Sequence, residues 1–509
     1  MRLTKTALAA GLAACVTACS GGGSGTITPP VNQQVPPATG STGTQFAPAT
    51  SSLPTVTGVI NYTAADHFTF KVSSGCFSDH GYLNVYTTSS TTFSGGSPKV
   101  GETATVAVSS GSCTTKLYAQ SVTLTGGSSG TSGTAAQRHL LTADYLGSPY
   151  GTTKIAWSTA APHLTWAQVG PPNANAISAA GIKTQYYADP NQTINNGDPF
   201  YTSVEATFAH TCSGSRVLMM DSGHQMYQMN PQLPAMQTLF RSIIAGVISH
   251  SHYDAVFEDG PGDLKAYGEK VLPCNYSPTN WLAYGQALNE YSPIPVIDNG
   301  LAELYNQGPS LSISLLNGGN TMGAVYEHCF SDNTFIEETG WLWLAVENTQ
   351  IQVGQKGKMF WCMLRNSNSA ASSIQARIFA LASFLLTYNP SKSVLWEEFS
   401  TPSGLHVMPE SQLVALNPAI STPSNIASLK QSGGTYARQY NACYYNGNSV
   451  GRCAIVVNSD ANAAHPFPYS GYTHTLYLSG NGILDGYSLS VNGAAPSSSV
   501  PAHSAVIAF

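Results

Sequence analysis

Short apolar runs closed by turn residues recur through the middle of this chain, and helical patterns separate many of them. The runs cover 139–145, 163–169, 182–188, 253–259, 294–298, 323–327, 358–364 and 393–397. An apolar run of this length bounded by turn residues reads as a strand buried on both faces, as in parallel sheets. Between them, 173–180, 234–249, 280–290 and 372–386 carry helical periodicity; in the last, Ile374, Ile378, Leu381 and Leu385 recur at helical spacing. Eight strand-like runs alternating with helices predict an α/β fold, a (β/α)8 TIM barrel over 138–420. A doubly wound open sheet is the structural alternative. The glycine-rich phosphate loop that a nucleotide-binding version would carry after its first strand is absent from the sequence.

The flanks have a different rhythm. In 53–125 the runs 56–62, 68–72, 82–87, 104–108 and 116–124 are short and strand-like, without intervening helices. Five such strands predict a small closed barrel. The succession "VGETATVAV" and "KLYAQSVTL" resembles an OB-like domain of bacterial envelope proteins. A Gly/Ser/Thr linker spans 126–137. Residues 432–509 return to strand patterns, with Asn-Gly turns at 446–447, 481–482 and 492–493, and predict an antiparallel β-sandwich.

Composition narrows the setting. Charged residues are 9% of the chain, against ~25% in an average soluble protein. The formal net charge is -6 with no basic stripe, which argues against nucleic acid as a partner. Arg2 and Lys5 precede a small apolar core at 6–16, and Val16-Thr17-Ala18-Cys19 resembles a lipobox. Residues 1–19 then read as a lipoprotein signal, Cys19 as the lipidated residue, and 20–52 as a flexible tether. The expected location is the bacterial cell envelope, lipid-anchored at the outer membrane or cell surface, with the chain monomeric. The apolar part of 374–386 falls short of the ~20 residues that cross a bilayer. Setting aside Cys15 and Cys19, eight cysteines remain, an even number that fits disulfides in an exported chain. Cys76 with Cys113 and Cys443 with Cys453 are the expected pairs, each inside one β segment. Cys212, Cys274, Cys329 and Cys362 stay unassigned, and Cys362 reads as a buried thiol in a core strand.

Acids are scarce, so those at the ends of the apolar runs stand out. Asp144 ends the first run, Asp189 follows the third, Asp259 ends the fourth, Asp298 the fifth, Glu327 the sixth and Glu397 the eighth. Two-residue alternation puts Ala255, Phe257 and Asp259 on one face, and Gly323, Val325 and Glu327 on one face. In a barrel both acids would reach the mouth at the strands' C-terminal ends. Glycoside hydrolysis needs two such carboxyl groups, ~5–5.5 Å apart for retention or ~6.5–9.5 Å for inversion. The shorter spacing is expected here.

The stretch "YDAVFEDG" at 253–260 resembles the fourth-strand motif of barrel glycosidases, including the alpha-galactosidase type and the polygalactosaminidase-like hydrolases. "VPAHSAVI" at 500–507 resembles the last strand of the sandwich that often follows such barrels. The resemblance covers the barrel and sandwich, and implies that an acid ending strand four pairs with one ending strand six. Asp259 would be nucleophile or base and Glu327 the general acid, acting on a poly- or oligosaccharide without metal or organic cofactor. This chain departs from the pattern in having Glu258 beside Asp259 and His328 beside Glu327.

Asp144, Tyr187, Asp189, Asp298, His328, Trp343, Trp396 and Glu397 are the candidates for holding substrate. Against each stands a plainer role. A lone strand-end acid more often caps a helix or pairs with a base, and a lone tryptophan is more often core. His328-Cys329 has the elements of a thiol nucleophile, but a disulfide is the preferred use of Cys329. No G-x-S-x-G elbow occurs, which disfavours an α/β-type esterase. The competing functional reading is a non-catalytic polysaccharide-binding or structural envelope lipoprotein.

Overall fold

The computed structural model describes residues 55–63, 67–74, 82–99, 102–111, 116–125, 140–146, 161–195, 197–221, 224–259, 271–299, 313–327, 329–330, 340–366, 374–399, 408–480 and 487–509. The signal, Cys19, the tether and the expected Cys76–Cys113 pair lie outside them.

Strands β1 (Thr55–Thr63), β2 (His67–Ser74), β3 (Tyr82–Tyr86), β4 (Thr92–Ser94), β5 (Thr103–Gly111) and β6 (Lys116–Thr125) build the first unit. The sheet order is β3-β2-β1-β5-β6-β4, and a parallel β3–β6 pairing closes five of the strands into a ring. Along β5 burial alternates from Thr103 to Val108, which puts Ala104, Val106 and Val108 inside. They meet Val56, Ile60, Phe68, Val85 and Val122 in one core. The short strand β4 was not among the expected runs; it pairs only at the edge, beside β6.

The eight expected central strands all form. They are β7 (Leu141–Leu146), β8 (Trp166–Val169), β9 (Lys183–Ala188), β13 (Ala255–Asp259), β14 (Val296–Asn299), β15 (Thr321–Tyr326), β16 (Met359–Asn366) and β17 (Ser393–Phe399). Parallel pairing of β17 with β7 closes them into a barrel, which removes the open-sheet alternative. A small sheet of β10 (Gln192–Thr193), β11 (Leu218–Asp221) and β12 (His224–Gln228) is inserted after β9. Helices α1 (Pro171–Ala179), α2 (Pro234–His250), α3 (Pro278–Asn289), α4 (Gly340–Gln355) and α5 (Ile374–Thr387) lie around the barrel. Strand β15 is buried at every position, as a strand covered on both faces must be.

The barrel interior is packed with aromatic side chains. Trp166, Phe257, Trp361 and Trp396 fill it with Ala143, Ala255, Ile297, Val325, Met363 and Val394. Trp166 meets Trp361 edge-on at 5.8 Å between ring centroids, and Phe257 meets Trp396 at 5.3 Å. Gly323 makes room for this. A Cβ there would sit 2.6 Å from the Trp361 ring and 2.3 Å from the Met359 carbonyl oxygen. The interior is therefore a solid floor, and polar groups are left for the mouth above it.

The final sheet runs β18 (Leu413–Pro418), β19 (Tyr436–Tyr445), β20 (Asn448–Asn458) and β25 (Ser504–Ala508), with the pairs β21 (His465–Pro466)–β24 (Ser499–Val500) and β22 (Tyr477–Gly480)–β23 (Tyr487–Ser490) beside it. Because β18 is its edge strand, this sheet takes in residues from 413, inside the stretch assigned by pattern to the barrel domain. The expected turn at Asn446-Gly447 joins β19 to β20, with φ of 46° and 74° at the two residues, as a tight hairpin turn requires.

Cys443–Cys453 is a disulfide across β19 and β20, as expected. Cys212 pairs with Cys274, joining the insertion to the segment before α3. Cys329 pairs with Cys362, which corrects the reading of Cys362 as a free buried thiol. Parallel neighbours β15 and β16 bring those two residues together, and the Cys329 amide donates to the Met363 carbonyl at 3.0 Å. Among the described residues no helix is long and apolar enough to cross a membrane.

Candidate active site

The inward face of β13 carries Ala255 and Phe257 into the barrel core, so the next inward position, Asp259, emerges just above that floor. Strand β14 does the same with Ile297 and then Asn299. Strand β15 sends Val325 inward and is followed by Glu327. Asn299 stands between the two acids. Its side-chain nitrogen donates to Asp259 Oδ1 at 2.8 Å and to Glu327 Oε1 at 2.6 Å. Two oxygens that close to one nitrogen cannot be farther apart than the two distances together, about 5.4 Å. One oxygen of each carboxyl group therefore lies within the ~5–5.5 Å spacing that retaining pairs use.

Tyr187, on β9, donates its hydroxyl to Asp259 Oδ2 at 2.6 Å. Both oxygens of Asp259 thus accept hydrogen bonds, from a phenol on one neighbouring strand and an amide on the other. Tyr187 keeps 44% of its surface exposed, so its ring is available at the mouth, and it stacks on Phe257 at 6.0 Å between centroids.

A second set of acids lies close by. Glu258 and Asp298 are register partners on β13 and β14, and both are fully buried. Strand alternation turns them away from the interior. Asp298 Oδ1 accepts from the side-chain nitrogen of Asn289, on α3, at 2.7 Å. Glu258 Oε1 accepts from the Asn191 side chain at 3.2 Å, and Asn191 also reaches the Asp259 carbonyl at 3.4 Å. Burial pushes the Asp298 carboxyl up to about 7. Burial, and then the charge of Asp298, hold Glu258 well above the usual carboxylate range. Half-buried Asp189, which accepts from the Gln192 amide at 3.3 Å, is also raised well above that range, first by burial and then by the charge of Asp259.

Several expected substrate contacts need correcting. Asp298 faces the helix layer rather than the mouth, because it is one residue out of phase with Ile297 and Asn299. Trp343 is fully buried on α4, donates to Ser383 Oγ at 2.9 Å and packs on Tyr436 of the C-terminal sheet. Trp396 is fully buried in the barrel floor. Neither indole offers a face to a ligand. Asp144 and Glu397 lie within β7 and β17, where only their backbone is described, and His328 lies outside the described residues. The reading by pattern passed over Asn299 and Asn191. Alternation from Ile297 selects Asn299, but a neutral amide carries no charge signal of its own in the sequence.

No family model matches this sequence, and no curated protein matches it. Solved structures show a likeness of fold. The glycoside hydrolase domain of PelA from Pseudomonas aeruginosa is 11% identical, with 50% of this chain and 94% of that one covered at a TM-score of 0.33. Aspergillus fumigatus Ega3, in a complex with galactosamine, is 10% identical over 54% of this chain and 96% of that one, with a TM-score of 0.34. An alpha-amylase from Malbranchea cinnamomea is 9% identical over 72% and 96%, with a TM-score of 0.40. Likenesses this low say nothing of the chemistry at Asp259 and Glu327, which has to be read from this chain's own residues: a closed parallel barrel with two carboxylates bridged by one amide at its mouth.

Proposed function

We propose that this protein hydrolyses a glycosidic bond in a poly- or oligosaccharide, with retention at the anomeric carbon. The single observation that carries this reading is the Asn299 bridge, which holds oxygens of Asp259 and Glu327 within about 5.4 Å of each other. At that spacing one carboxylate can attack the sugar directly while the other serves the leaving oxygen. Asp259 is the nucleophile. Hydrogen bonds from Tyr187 and Asn299 hold its carboxylate and fix its direction.

Glu327 is the general acid, passing a proton to the departing glycosidic oxygen as the carbon–oxygen bond breaks. Asp259 forms an ester to the anomeric carbon. Glu327, now a carboxylate, takes a proton from water, and the resulting hydroxide equivalent displaces Asp259. Substrate and water supply all the atoms, so no metal or organic cofactor is needed. At the N-terminus, the lipobox-like run ending at Cys19 supports lipid anchoring at the cell envelope, where a Cys19→Ser protein should lose both lipid label and membrane association.

Hydrolysis is tested over a panel of oligo- and polysaccharides, following the anomer of the first product by NMR. Wild type should release product of unchanged configuration, and Asp259→Asn and Glu327→Gln should each lose about 10²–10⁴-fold in rate. Product of inverted configuration would refute the nucleophile assignment. Binding without cleavage by the wild type would instead identify a carbohydrate-binding barrel.

A further inference from the structure

We infer that the pocket between the loops of the insertion at His210 and Asn230 and the start of α3 is a second carbohydrate subsite, separate from Asp259 and Glu327, which takes a neutral sugar residue. This rests on the glycosidase reading above for the class of ligand. The pocket encloses about 300 Å³, the lower end of the ~300–1,000 Å³ of ligand sites and a size suited to one residue of a longer chain.

Its walls have the chemistry that sugars require. Half-buried Tyr284 on α3, backed one turn earlier by the edge of Trp281, which is 5% exposed, forms an aromatic side. Asn230, Gln232, Asn275 and Asn280 bring four side-chain amides, each a donor and an acceptor at once. Paired donors and acceptors match vicinal hydroxyls, which also give and take hydrogen bonds. No Asp, Glu, Lys or Arg lines the space. The imidazole in the lining, His210, already meets Glu205 with its Nε2 at 2.7 Å. A charged sugar would find no counterion there, whereas a neutral one would lose nothing.

The walls are held in place before any ligand arrives. Cys274 is tied to Cys212 by a disulfide and donates its amide to the His210 carbonyl at 2.8 Å. Asn275 is fixed in the left-handed region at φ 60°. Such preorganisation lowers the ordering cost of binding. α3 follows β13 in the chain, so in a β/α barrel its first turn, which lines the pocket, belongs to the same end of the barrel as Asp259. The inserted sheet ties the two places together: the Met229 amide donates to the Asn191 carbonyl at 2.8 Å, and Asn191 in turn touches Glu258 and Asp259.

The test uses the full chain carrying Asp259→Asn, titrated with glucose, galactose and N-acetylglucosamine by ligand-observed NMR, with cationic glucosamine as counter-probe. Neutral sugars should bind more tightly than glucosamine. Asn280→Ala and Gln232→Ala are surface changes, and each should weaken binding by roughly threefold to tenfold, one hydrogen bond's worth. Trp281→Ala should abolish binding, with its circular dichroism checked against the parent. Affinity unchanged by both amide variants, preference for glucosamine, or no neutral sugar bound at all would each overturn the subsite. If wild type cleaves glycans while the pocket variants change nothing, the subsite alone fails. If the pocket binds sugars while wild type cleaves none, the hydrolytic reading alone fails.

Discussion

The barrel buries carboxyl groups in two regions and treats them in opposite ways. Where α5 meets the C-terminal sheet, acids face bases. Arg377 donates to both oxygens of Glu410, each at 2.6 Å, and both side chains are almost wholly buried. Toward the other end of α5, Arg438 is buried and donates to the carbonyls of Leu386 at 3.2 Å and Ile420 at 3.0 Å; its charge partly offsets the burial that raises Glu347, which accepts from Thr387 at 2.6 Å. Around the ends of β13 and β14, Glu258, Asp298, Asp189 and Asp259 gather instead: after burial, the charge of Asp298 raises Glu258 and the charge of Asp259 raises Asp189. Amides and a phenol hold them: Asn191, Asn289, Asn299 and Tyr187. A buried opposite pair locks a structure in place, because each member would be costly alone. Gathered like charges cost stability and yield reactive protonation states, which is where chemistry is to be sought.

The sharpest way to break this contrast is to neutralise one acid in each region. Asp259→Asn should lose about 10²–10⁴-fold in glycan hydrolysis while its urea midpoint holds or rises, since the substitution removes a repulsive charge beside Asp189. Glu410→Ala should do the reverse. Leaving Arg377 buried and unpaired should cost about 3–5 kcal/mol by chemical denaturation. A midpoint for Glu410→Ala equal to wild type would show that the ion pair carries no such weight.

A smaller effect separates the amide bridge from the acids it holds. Asn299→Ala removes a donor to both carboxylates, and should lower kcat by about 10- to 100-fold, in line with loss of a charge-assisted hydrogen bond, with KM little changed. Equal losses in kcat and in thermal stability would make Asn299 a structural residue only.

The last contrast is in pH dependence, where the effect at any one pH step is small. The Asp298 carboxyl titrates at about 7 in the folded protein against an ordinary 3.8. The folded state therefore holds more protons than the unfolded one between those values. The Asp298 contribution to stability is complete below the lower value and is lost as pH rises through the upper. Denaturation midpoints should fall across that window, with a slope of at most about 1.4 kcal/mol per pH unit. In Asp298→Asn the slope should flatten. A slope unchanged in Asp298→Asn would assign the pH dependence to other groups.

Much of the architecture could be read along the chain. Eight apolar runs became eight barrel strands, because a strand covered on both faces needs nearly every position apolar. Alternation carried Asp259 and Glu327 to the mouth, since Phe257 and Val325 had to enter the floor. The Asn446-Gly447 turn and the Cys443–Cys453 pair were legible for a related reason: both are settled within one hairpin.

What the sequence by itself determined is therefore local: run length, phase and turn chemistry, all set by neighbours a few residues away. Only the tertiary structure decided what depends on distant segments meeting. It closed the barrel through β17 and β7, joined Cys329 to Cys362 across adjacent strands, and drew β18 into the C-terminal sheet. It sent Trp343 and Trp396 into cores that no local pattern separates from a sugar-binding face. It also placed Asn299 between two acids that lie 40 and 28 residues from it. A shared hydrogen bond of that kind is a property of three strand ends in space, and a one-dimensional pattern records none of the distances that make it.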